Sequence, residues 1–170
     1  MIKRFLTFLI FSSLTAFAQS DDLAFQLRLI QVLLPESTRF GFVYATEDPN
    51  IDINLNIAIN QTGLRAFKHQ VTSIRDLAKG VRSLISRYEV DFIYVVDEDT
   101  VTSATALKAL VSQCQRSGTP IFTLSANILD AGGYAQLFND EGQWRMRIVG
   151  DSTDKYTISV PPNDDRFLVQ

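Results

Sequence analysis

Cysteine and histidine are almost missing from this 170-residue sequence, which contains one of each. The single cysteine, Cys114, cannot form an intramolecular disulfide, and with His69 alone beside it a zinc site is short of its usual ligands. We therefore expect no disulfide framework and no metal. Cys114 lies on the apolar face of a helical pattern and is expected in the core, the alternative being a reactive thiol.

The common catalytic and cofactor-binding motifs are also missing. No G-x-G-x-x-G or P-loop pattern follows a predicted strand, which argues against a nucleotide cofactor, and no G-x-S-x-G pattern marks a nucleophile. His69 stands between Lys68 and Gln70 in a predicted strand, where histidine is more often an edge residue than a general base. We predict that the protein is not an enzyme and binds no cofactor, with magnesium-assisted hydrolysis at "VVDEDT" as the weaker alternative.

The sequence has no block of basic residues. Its 16 Lys and Arg are outnumbered by 19 Asp and Glu, and the formal net charge is −3. Nucleic acids and anionic membrane surfaces attract basic patches, so neither is an expected partner. Removal of Lys3 and Arg4 with an N-terminal signal would make the chain more acidic still.

The N-terminus has the parts of a secretory signal peptide. Lys3 and Arg4 precede an apolar run, and Ala16-Phe17-Ala18 follows it as a small-x-small cleavage pattern. The run of about 14 residues is shorter than the roughly 20 needed to span a bilayer, and no cysteine follows it for lipid attachment. We therefore predict a signal peptide over residues 1–18 and a periplasmic location, with a retained membrane anchor as the alternative.

Apolar runs alternate with amphipathic segments along the rest of the chain. This alternation predicts an α/β fold with a doubly wound, mostly parallel sheet of the flavodoxin-like type and a small C-terminal β-hairpin. The predicted helices are 22–34, 74–88, 102–116 and 127–133, the strands are 39–45, 64–73, 90–96 and 120–126, and the hairpin joins 134–139 to 144–149. The predicted organisation is one lobe over 19–150 and a polar tail over 151–170, with at most one further strand at 155–160.

The stretch "IDINLNIAIN", residues 51–60, alternates apolar and other residues like a half-buried strand. Its place between two parallel strands instead requires a right-handed crossover, so we predict a helix, with an extra strand as the alternative. Wound as a helix, the segment has two apolar stripes on nearly opposite sides. The first can face the sheet, and we predict that the second packs against a protein partner, a second copy, the N-terminal helix or the C-terminal tail. The first stripe consists of Ile51, Leu55, Ala58 and Ile59, and the second of Ile53, Ile57 and Leu64.

Three loops follow predicted strands and are expected at one edge of the sheet. They are residues 46–50, 97–100 and 125–127. Open parallel sheets bind ligands beyond the carboxyl ends of their strands, where helix N-termini also converge. The alternative is that the polar residues of these loops only cap helices and form turns. The candidate ligand-binding residues are Asp48, Asn50, Asp97, Asp99, Thr100, Ser125 and Asn127.

Three segments, in order along the chain, resemble a known family. They are "LLPESTRFGFVYATEDPN", "NQTGLRAFKHQVTSIRDLAKGVRSL" and "VDFIYVVDEDTVTSATALKALVSQCQRSGTPIFTLSANILDAGG". The series resembles the ABC-transporter substrate-binding-like periplasmic proteins of the tryptophan/tyrosine type, over about residues 33–139. The resemblance implies a type I periplasmic-binding fold.

The family's proteins have two such lobes, which clamp a small ligand, often an amino acid, between them. This chain has residues for one lobe, and a hairpin and a polar tail stand where the crossover into a second lobe would be. The resemblance implies an exported solute-binding or sensing module that contacts a small polar ligand and works with a membrane permease, a sensor or a second subunit. The alternative is a periplasmic adaptor that keeps the lobe as a scaffold for a protein partner or a homodimer. The matching positions are Asp48, Asn50, Asp99, Thr100, Ser125 and Asn127.

Overall fold

The computed structural model of the protein describes the backbone of residues 11–150, 156 and 158–170, and the side chains in these ranges from residue 22 onward. Of the predicted signal peptide, residues 1–18, the structure describes only the backbone of residues 11–18. The signal peptide therefore stays a prediction. Within the described ranges, no helical stretch combines the length and the apolar character that a transmembrane span requires.

A seven-stranded sheet forms the centre of the fold. The helices are α1 (Phe11–Leu33), α2 (Pro49–Thr62), α3 (Ile74–Ser86), α4 (Asp99–Thr102), α5 (Ala104–Ser117) and α6 (Asn127–Asp130), and the strands are β1 (Arg39–Tyr44), β2 (Arg65–Gln70), β3 (Phe92–Val95), β4 (Ile121–Thr123), β5 (Ala135–Asp140), β6 (Gln143–Ile148) and β7 (Phe167–Val169). The strand order is β2-β1-β3-β4-β5-β6-β7. Strands β1 to β5 are parallel, β6 returns antiparallel to β5, and β7 is parallel to β6. The predicted doubly wound, mostly parallel sheet with a C-terminal hairpin is confirmed.

Helices cover both faces of the sheet because its central strands are apolar on both sides. On one face, α1 and α2 pack over an aromatic cluster in which Phe40 stacks on Phe92 with ring centroids 5.3 Å apart. On the other face, α3 and α5 pack over residues such as Ile93. The buried Tyr94 hydroxyl donates a hydrogen bond to the side chain of Gln26. This bond ties α1 to the central strand through the core.

Residues 51–60 are helical, as the topology predicted. Asp48 caps the N-terminus of α2, Pro49 occupies its first turn, and Gly63 ends it with a left-handed backbone at φ 73°. Isoleucine and asparagine are mediocre helix formers, so the propensity of the segment alone does not select this state. The crossover between two parallel strands, together with the residues that begin and end the helix, overrides the period-two pattern.

The two predicted stripes of α2 differ in their burial. Leu55 and Ala58 of the first stripe are buried. In the second stripe, Ile53 is 56% exposed and Ile57 is half-buried. The assignment of Leu64 to this stripe was wrong, because the helix has already ended and Leu64 turns into the core, where it is 2% exposed. Contact of the other two residues with a partner stays a prediction.

Two local boundaries differ from the prediction. The helix expected over 102–116 is interrupted at Ser103, whose extended backbone (φ −56°, ψ 149°) separates α4 from α5. The further strand is β7 rather than 155–160, since the described residues 158–160 belong to no strand. Pro161-Pro162 follows that segment and offers no amide donor to a neighbouring strand.

Candidate functional site at the carboxyl edge of the sheet

The three predicted loops lie side by side. Strands β1, β3 and β4 are parallel neighbours in the sheet, so the loops that follow them meet at its carboxyl edge. These loops, 46–50, 97–100 and 125–127, carry all seven candidate residues. The structure therefore brings the candidates to one edge, while their contact with a ligand stays a prediction.

Asp48 and Asn50 serve the local structure of the first loop. Asp48 Oδ1 accepts hydrogen bonds from the backbone N–H of Asn50 and from its Nδ2, both at 2.9 Å. Asp48 is thus the N-cap of α2, the role that the alternative interpretation gave it. Both residues are nevertheless exposed and can be reached from solvent.

Four other candidates have no such local role. Asp97, Asp99, Thr100 and Asn127 are exposed, and their side chains make no hydrogen bond to any residue that the structure describes. Helices α4, α5 and α6 all begin without a side-chain cap. Helix capping therefore does not account for these four residues. Ser125 differs from them because it is 4% exposed and lies beneath the surface of its loop.

Glu98 joins the first two loops and was not singled out from the sequence. Its Oε2 accepts hydrogen bonds from the backbone N–H groups of Ala45 and Thr46, at 2.6 and 2.7 Å. The Glu98 backbone is extended, with φ −132° and ψ 138°, so its side chain points away from those of Asp97 and Asp99. The three consecutive acidic residues look alike in the sequence, so no sequence signal singled out Glu98. The half-buried carboxylate fixes the spacing of the two loops.

The edge is acidic. Glu47, Asp97 and Asp99 are exposed carboxylates, and none of the three loops contains Lys or Arg. Such an edge favours a ligand that carries an ammonium group or hydroxyl donors and disfavours a polyanion such as phosphate. No cluster of three or more metal-ligating side chains occurs among the residues that the structure describes.

Cys114 and His69 take no part in this site. Cys114 is fully buried on α5, as predicted, and its burial raises the pKa of the thiol to about 12. His69 lies in the edge strand β2, half-buried, with Nε2 3.3 Å from the backbone oxygen of Asp76 in α3. Neither side chain is therefore placed as a nucleophile or base at the three loops.

Solved structures of three proteins share this fold. A conserved domain protein from Vibrio cholerae covers 82% of the chain with a TM-score of 0.69 and 18% identity. The ABC domain in complex with L-Trp from Streptococcus pneumoniae covers 82% with a TM-score of 0.68 and 20% identity. The chain has the fold of these proteins. A ligand-free, open substrate-binding protein with adhesive properties from Clostridium difficile covers 85% with a TM-score of 0.68 and 13% identity.

The chain spans less than three-fifths of each of these proteins, namely 56%, 57% and 58% of their lengths. It matches no protein-family model, and no curated protein sequence is significantly similar to it. The predicted resemblance is thus confirmed at the level of the fold, as a single lobe of the substrate-binding type.

Proposed function

We propose that the protein is an exported, non-catalytic solute-binding or sensing module that contacts a small polar ligand at the carboxyl edge of its sheet. The observation that supports this proposal is the convergence of exposed side chains without a local structural role, Asp97, Asp99, Thr100 and Asn127. Among the proteins with this fold, one is an ABC domain in complex with L-Trp and another is a substrate-binding protein. An amino acid suits the chemistry of the edge.

The acidic edge and its amide and hydroxyl groups match the two ends of an amino acid. In this proposal, Asp97 and Asp99 attract the ammonium group, and Thr100 and Asn127 donate hydrogen bonds to the carboxylate. Exposed ion pairs contribute only about 0.2–1 kcal/mol each. Small-molecule sites bury most of the ligand surface, whereas this edge is open on the solvent side. The lobe alone is therefore expected to bind weakly, and a permease, a sensor or a second subunit would complete the site.

A thermal-shift titration with an amino-acid panel tests this function. A ligand at ten times its dissociation constant stabilises a protein by about 1.4 kcal/mol, which raises the melting temperature by about 3–6 °C for a chain of this size. We expect this rise to be lost in Asp99→Ala and in Asn127→Ala. Glu36→Ala is the matched control, because Glu36 is exposed and precedes β1 at the opposite edge. No rise with any member of the panel, or an equal rise in all variants, would contradict the proposal.

The exposed Ile53 favours a second candidate function, a scaffold for a protein partner or a homodimer. Ile53 is 56% exposed near the start of α2, close to the first loop. A large apolar side chain at such a position is stabilised when another surface covers it. If the protein forms a homodimer there, its mass in solution is about twice that of one chain and falls to the mass of one chain in Ile53→Asp and in Ile53→Asp/Ile57→Asp. An unchanged mass in both variants would rule out this interface.

A further inference from the structure

A second concave site lies at the far end of the same sheet edge. Its volume is about 560 Å³, within the range of small-molecule sites. Asp22 and Phe25 of α1 form one side, Trp144 and the β5–β6 turn another, and Asp165 and Arg166, which precede β7, the third. The recess is separate from the three loops because β5 and β6 lie beyond β4 in the sheet.

Aromatic rings give the recess apolar walls. Trp144 is half-buried, and Phe25 is 42% exposed, one of the few large apolar side chains that the core leaves open. The indole Nε1–H of Trp144 donates to Asp22 Oδ1 at 2.9 Å. This bond fixes the carboxylate beside the two rings, across 122 positions of the chain.

Carboxylates give the recess its charge. Arg166, the one basic residue among the described residues that line the recess, donates to both oxygens of Asp164, with its Nη2 2.6 Å from Oδ2 and its Nε 2.9 Å from Oδ1. These hydrogen bonds lower the pKa of Asp164, so the Arg166 charge is balanced locally. Asp22 and Asp165 add two further carboxylates, of which Asp165 is exposed and also attracts Arg166. The recess is therefore negative and aromatic at once.

We propose that this recess binds small organic cations, with an ammonium or guanidinium group on a short apolar stem. The cation meets the carboxylates of Asp22 and Asp165, and the stem lies against the rings of Phe25 and Trp144. A cation close to an aromatic ring is also attracted by the electron-rich face of the ring. Anions and neutral molecules of the same length lack the attraction to the two carboxylates.

Trp144 provides a direct readout, because the chain contains one tryptophan. We expect titration with cadaverine or agmatine to change the Trp144 fluorescence and the NMR position of its indole N–H in a saturable manner. Pentanol and valerate, matched in length to cadaverine, serve as neutral and anionic controls and should leave both signals unchanged. Added salt should weaken the binding, since the charges are partly exposed.

Two variants assign the response to the recess. Asp22→Asn keeps an oxygen acceptor for the Trp144 indole and removes the charge, and Asp165→Asn removes the second charge. Each should weaken binding about threefold, and the double variant about tenfold, as expected for exposed ion pairs. Asp99→Ala at the three loops should leave the response unchanged, which separates this site from the proposed solute site. If both signals stay unchanged at millimolar cation, or respond equally to pentanol, the proposal is wrong.

Discussion

The replacement Glu98→Gln tests whether one carboxylate holds the candidate site together. The Glu98 carboxylate accepts two short backbone hydrogen bonds, from Ala45 at 2.6 Å and Thr46 at 2.7 Å. A hydrogen bond to a charged group contributes about 1.5–3 kcal/mol and a neutral one about 0.5–1.5 kcal/mol, so full burial would give a loss of about 2 kcal/mol for the pair. Because Glu98 is half-buried, solvent screening reduces the expected loss to roughly 1 kcal/mol.

Urea denaturation measures the loss of stability, and amide hydrogen exchange locates it. We expect the N–H groups of Ala45 and Thr46 to exchange faster in Glu98→Gln, because their acceptor is no longer charged. Glu47→Gln is the matched control, since it makes the same chemical change on an exposed residue of the first loop. Its effect should stay within about 0.5 kcal/mol. Equal stability of the two variants, with unchanged exchange of both amides, would show that Glu98 does not organise the edge.

Three further predictions concern the core. Tyr94→Phe removes the buried hydrogen bond to Gln26, which is 4% exposed, and urea denaturation should show a loss of about 1–3 kcal/mol; an unchanged midpoint would contradict this. Cys114, whose pKa is raised to about 12 by burial, should resist thiol reagents at pH 9 until the protein is unfolded. The thiol proton of Cys114 is released at lower pH in the unfolded protein than in the folded one, so the free energy of unfolding should fall as the pH rises above the ordinary thiol pKa. A Cys114 thiol that reacts in the folded protein at pH 9 would contradict its burial. Gly80→Ala places a Cβ 1.9 Å from His69 Nε2 and should lower the free energy of unfolding by about 1–3 kcal/mol. The loss should be smaller in a His69→Ala background. Additive losses of stability in the double-mutant cycle would refute the clash.

The expected order of parallel strands predicted a helix at 51–60, whereas the local sequence pattern of this segment indicated a strand. The alternation of the segment is typical of a strand, but a right-handed crossover leaves no place for one. The burial of individual side chains is harder to predict, because it depends on where a helix ends. The assignment of Leu64 to the second stripe failed for this reason, since Gly63 ends the helix one residue earlier.

The location of the candidate site was predictable for the same topological reason. Residues after β1, β3 and β4 must meet at one edge, whatever their identity. The role of Glu98 was not predictable, because three consecutive acidic residues look alike until the extended backbone separates their directions. The contact between Trp144 and Asp22 depends on the packing of α1 against the hairpin, and no local sequence pattern encodes a pair so far apart in the chain.

The most direct test of the proposed solute site is an amide NMR titration of the full chain with the amino acid that gives the largest thermal shift. We predict saturable shifts confined to residues 46–50, 97–100 and 125–127, and absent in Asp99→Ala/Asn127→Ala. Shifts that cluster elsewhere on the lobe, or that persist in the double variant, would contradict the proposal that these loops bind the ligand.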